Sequence, residues 1–107
     1  MPHNLWLELL AKATQIHMLP NVNKVILYGS YAKGLATKDS DVDLAVFFDE
    51  DKEFFLEEYR ALVKLCSDEK RDYQVQAFSA LELQEPCGII EEIVRYGVEI
   101  TPLRYAV

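Results

Sequence analysis

A short apolar run, Lys24-Val25-Ile26-Leu27-Tyr28, stops abruptly at Gly29-Ser30, and after ten further residues Asp41-Val42-Asp43 opens a second run that reaches Phe48. The first run is β-prone and reads as a buried strand feeding a tight turn, because glycine lets the backbone reverse sharply at no steric cost. The second run alternates Val42, Leu44 and Val46 against Asp41, Asp43 and Ala45. Alternation of that kind is a half-buried strand, and it puts the two carboxylates on one face. Two strands joined through a glycine turn and a loop are the frame that the remaining segments must cover.

The flanking segments supply the cover. Leu5, Leu9, Ala13 and Ile16 recur at helical spacing between Asn4 and Met18, with Trp6 and Leu10 widening the stripe and Asn4 placed to cap the helix. A second helix is expected from about Lys52 to Cys66, with Phe55, Tyr59, Leu62 and Cys66 as its apolar stripe. Tyr73, Val75 and Ala77 then alternate with Gln74, Gln76 and Phe78, which predicts a third strand with an unusually polar face. Ser79-Ala80-Leu81-Glu82 has capping-box spacing. After Pro86, the residues Ile89, Ile90, Ile93 and Val94 form the apolar face of a last helix. Gly97 is expected to close that helix in the left-handed conformation, and Val98 to Leu103 fits a final strand. This order predicts an α/β (α+β) fold: one mixed sheet, helices packed on one face, and the other face open for chemistry. At 107 residues the chain is expected to form a single domain over residues 1–107.

Charge narrows the partners. Eighteen acidic against 11 basic residues leave a formal charge of -7, so the molecule repels a polyanion and its surface suits a basic protein instead. Cys66 and Cys87 match no C-x-x-C pattern and are expected as buried thiols in a reducing cytosol. The N-terminus lacks the basic start and apolar core of a signal peptide, and no stretch is long enough to span a bilayer. A soluble cytoplasmic protein is expected, with no direct nucleic-acid or membrane partner and with self-association left open. His3 and His17, on or near the first helix, read as packing or surface residues.

A nucleoside triphosphate is a dense negative charge, held typically by backbone amides in a tight turn, a hydroxyl and a divalent metal. Gly29-Ser30 provides the turn and the hydroxyl. On an extended strand Asp41 and Asp43 set two hard oxygen ligands roughly 7 Å apart at their Cα atoms, which suits Mg²⁺ completed by water and phosphate. A metal so held neutralises the triphosphate, and the reaction class is in-line nucleotidyl transfer. A bare D-x-D is weak, but Gly-Ser followed after ten residues by D-x-D arises by chance in roughly one chain per thousand of this length.

Gly29-Ser30-Tyr31-Ala32-Lys33-Gly34 and Ser40-Asp41-Val42-Asp43-Leu44 together resemble the signature of the minimal nucleotidyltransferase (MNT) family of the polymerase-beta-like superfamily. Ile93 to Ile100 also resembles that family's closing helix and strand, so the likeness covers nearly the whole chain. The resemblance implies that Gly29 and Ser30 grip the triphosphate, with Lys33 and Ser40 beside it, and that Asp41 and Asp43 are catalytic and bind Mg²⁺. It further implies ATP as the nucleotide and, because proteins of this kind often pair as toxin and antitoxin, a HEPN-type protein as the partner that is adenylylated. One departure stands out. The superfamily typically adds a third carboxylate from a neighbouring strand, where this chain has Gln74 or Gln76, with Asp72 one pleat lower as a substitute catalytic carboxylate. A neutral amide is a poor metal ligand or base, so the resemblance also allows a catalytically weak module that neutralises its partner by contact.

Overall fold

The computed structural model describes residues 3–49, 56–67 and 71–101. Its elements in chain order are α1 (His3–His17), β1 (Val22–Tyr28), α2 (Gly29–Ala32), β2 (Val42–Phe48), α3 (Leu56–Leu65) and β3 (Tyr73–Ser79). A 3-10 turn (Ala80–Leu83), α4 (Ile89–Tyr96) and β4 (Val98–Glu99) complete it. The four strands form one mixed sheet in the order β3-β2-β1-β4. β1 lies antiparallel to both β2 and β4, and β2 runs parallel to β3. The parallel pair needs a crossover longer than a hairpin, and α3 lies within it.

Strand alternation divides the core in two. Val25 and Leu27 of β1 and Val42, Leu44, Val46 and Phe48 of β2 bury themselves against Leu5, Leu9, Ala13 and Ile16 of α1 and Leu62 of α3. The opposite side chains, Ile26, Tyr28, Ala45, Phe47 and Phe78, pack with Ile90 and Ile93 of α4. Phe47 and Phe78 stack with ring centroids 5.3 Å apart. The sheet is therefore as open on its second face as expected only toward Asp43, because α4 covers the end that carries the phenylalanines. Burial explains why: that half of the face is apolar, and leaving it in water would forfeit about 1.5–3 kcal/mol per large side chain.

Several local expectations change. Asn4 lies inside α1, not at its cap. Phe55 falls outside the described residues, Tyr59 is exposed, and Ile89 and Val94 are exposed on α4. Cys66 is buried, but Cys87 is exposed in the segment before α4. The capping box forms, the Ser79 N–H donating to Glu82 Oε2 at 2.9 Å and the Leu81 N–H to Ser79 Oγ at 3.3 Å. Gly97 is extended, at φ -72 and ψ 158, so it does not close α4 by left-handed geometry. Its need for glycine is steric instead, since a Cβ there would overlap the Ile93 carbonyl oxygen and Ile26 Cγ2. The last strand is described as Val98–Glu99 alone, with Ile100 donating to the Val25 carbonyl at 2.8 Å. Among the described residues no helix is long and apolar enough to cross a membrane.

Candidate functional site

The site begins where β1 ends. Gly29 adopts φ +74, a left-handed conformation that L side chains rarely take, and there the chain leaves the sheet for the single turn α2. The Leu35 N–H donates to the Ser30 carbonyl at 2.9 Å and the Lys33 N–H to the Gly29 carbonyl at 3.1 Å, which closes the turn on itself. A Cβ on Gly29 would run into Asp43 Oδ2. Absence of a side chain at residue 29 is thus what lets the carboxylate of β2 lie against the turn.

Strand register builds the rest of the row. Tyr28 of β1 stands opposite Asp43 of β2, and Asp43 stands beside Gln74 of β3, so the three share a rung of the sheet and one face. Asp43 is half-buried, and its carboxyl is pushed above the ordinary range, first by burial and then by the charge of Asp41. Asp41, just ahead of β2, is exposed. The Tyr28 hydroxyl is also raised, by burial and by the negative charges of Asp43 and Glu92. The turn and the two aspartates therefore form one electronegative corner in which a cation would relieve repulsion. Among the described residues no three His, Cys, Asp or Glu side chains converge as a metal cluster. The corner offers two carboxylates, which fit a metal that takes its remaining ligands from phosphate and water.

The other residues singled out from the sequence occupy separate places. Ser40 Oγ accepts the Thr37 N–H at 2.9 Å, bracing the loop that delivers Asp41. Lys33 forms an ion pair with Glu92 of α4 and lies over the Tyr96 ring at 5.3 Å. The Val42 N–H donates to the Asp72 carbonyl at 2.9 Å, and the parallel register, extended one residue, sets Asp72 level with Asp41. Asp72 lines a cleft of about 530 Å³ with Cys66, Ser67 and Arg71, at the α3 side of the sheet edge. Gln74 and Gln76 are both exposed on the open face, and Gln74 is the one level with Asp43. Sequence reasoning missed Tyr28, Glu92 and Tyr96. Tyr28 was legible as the residue before the glycine, whereas nothing local ties α4 to the turn.

A family model described as the nucleotidyltransferase domain matches residues 10–100. A curated relative from Methanocaldococcus jannaschii, named as a candidate protein adenylyltransferase, is 30% identical over 80 residues, covering 74% of this chain and 79% of its own. Among solved structures, a candidate nucleotidyltransferase from Sulfolobus solfataricus superposes with a TM-score of 0.60 at 18% identity, covering 88% of this chain and 80% of that one. A structure of a tri-AMPylated Shewanella oneidensis HEPN toxin in complex with its MNT antitoxin gives a TM-score of 0.57 at 18% identity, covering 92% and 73%. A toxin–antitoxin structure with AMP-PNP gives 0.53 at 18% identity, covering 96% and 76%. At these identities the structural likenesses speak to fold.

Proposed function

Because this chain belongs to the nucleotidyltransferase domain family, we propose that it binds a magnesium nucleoside triphosphate, with ATP as the nucleotide, and transfers the nucleoside monophosphate to a hydroxyl of a HEPN-type partner protein. The observation that carries this reading is the contact of Gly29 with Asp43, which makes the turn and the carboxylates a single site. The curated relative's name as a candidate protein adenylyltransferase and the AMPylated toxin in a structural neighbour support a protein as acceptor. A soluble cytoplasmic setting belongs to the same proposal.

Gly29 and Ser30 present the turn to the triphosphate, Lys33 adds a positive charge beside it, and Ser40 braces the loop before Asp41. Asp41 and Asp43 would hold Mg²⁺, which when bound supplies charge neutralisation of the triphosphate and of the leaving pyrophosphate. The acceptor oxygen forms a bond to the α-phosphorus, the bond from that phosphorus to the pyrophosphate oxygen breaks, and pyrophosphate departs with the electron pair. The acceptor proton passes to water, since the amide of Gln74 cannot take it and Asp72 lines the cleft on the α3 side.

Gln74 also favours a second reading, in which the protein binds nucleotide and partner but transfers slowly or not at all. Incubation with labelled ATP, Mg²⁺ and a HEPN-type protein as the proposed partner separates the two. Label on the partner that vanishes in Asp41→Ala/Asp43→Ala supports transfer. An unlabelled complex that forms equally with wild type and the double variant leaves only the binding module.

A further inference from the structure

We infer that Glu92 of α4 competes with the triphosphate for Lys33, so that α4 sets the nucleotide affinity of the turn; this rests on the nucleotide-binding reading above. Lys33 closes the Gly29 turn through its backbone, so its side chain leaves from the rim of the site. The ammonium does not stand free there. It is paired with Glu92 Oε1 and covered by the Tyr96 ring, at 5.3 Å from the centroid. Glu92 and Tyr96 are four residues apart on α4 and so face the same way. The pair spans 59 residues of sequence, and its side chains are 33% and 38% exposed, so solvent screens it and its contribution is modest.

When a triphosphate draws the Lys33 ammonium toward its own oxygens, the ion pair with Glu92 has to break. That penalty is subtracted from nucleotide binding. Neutralising Glu92 removes it, whereas a purely structural tie would lose stability and gain nothing in affinity.

The test is a double-mutant cycle on the full chain, with the Kd for Mg-ATP measured by calorimetry for wild type, Glu92→Gln, Lys33→Met and Lys33→Met/Glu92→Gln. Glu92→Gln is expected to bind about three- to fivefold more tightly than wild type, the upper range for a partly exposed ion pair. In the Lys33→Met background the same change is expected to bring no such gain. Wild type that binds while Glu92→Gln binds equally or more weakly overturns the inference alone. An equal gain in both backgrounds also overturns it, because Glu92 would then act as a general charge and not through Lys33. Wild type that fails to bind Mg-ATP overturns the nucleotide-binding reading and the inference with it.

Discussion

Gly29 and Asp43 lie so close that any side chain at residue 29 would occupy the space of the Asp43 carboxylate. The turn that ends β1 and the acid of β2 are therefore parts of one construction, and substitution at the glycine tests both parts together.

Gly29→Ala is expected to lower stability by about 1–2 kcal/mol from the left-handed backbone alone, and further by displacing Asp43. Gly34 provides the comparison, because it too has a positive φ, +73, but a Cβ there meets nothing within 4 Å. Gly34→Ala should show the backbone cost without the steric one. Denaturant unfolding of both variants checks the difference, and equal losses would contradict the Gly29–Asp43 contact.

Asp43 should make the metal-free protein less stable as pH rises. Its folded-state pKa lies above the unfolded value, so the folded state holds the proton more tightly, and stability present below the unfolded pKa, about 3.9, is lost as pH rises through the folded one. Asp43→Asn removes that loss. The variant is expected to melt at a higher temperature than wild type at pH 7 without metal, with the gap closing toward pH 4 and narrowing when Mg²⁺ is added to the wild type. A variant that melts lower at pH 7 would show that ionised Asp43 is stabilised by its surroundings.

Gln74→Asp places a carboxylate on the rung of Asp43. If transfer is limited by the missing acid, single-turnover transfer from Mg-ATP to the proposed HEPN-type partner should rise at least about tenfold, the low end of what a positioned base contributes. An unchanged or slower rate would mean that the proton is already handled elsewhere.

Gly97→Ala should cost about 1–3 kcal/mol, because its Cβ would press on the Ile93 carbonyl and on Ile26 in the second core. Urea unfolding reads the loss. A neutral variant would mean that α4 and β4 shift easily away from β1.

The strands, most of the helices and the pairing of a glycine turn with a D-x-D strand are legible in the residue order, since each depends on periodicity or backbone freedom within a few residues. Leu5, Leu9, Ala13 and Ile16 of α1 were legible as a buried stripe for that reason. Gly97 reads from the sequence as a helix-closing glycine, but its constraint is steric, from the Ile93 carbonyl and from Ile26 on β1. Folding across the chain is what makes α4 cover the phenylalanine end of the open face, sets Gln74 and not Gln76 level with Asp43, and pairs Lys33 with Glu92. Each of those depends on strand register or on helix docking. Both are set by which apolar surfaces bury each other across the whole chain, and no local window of residues contains that information.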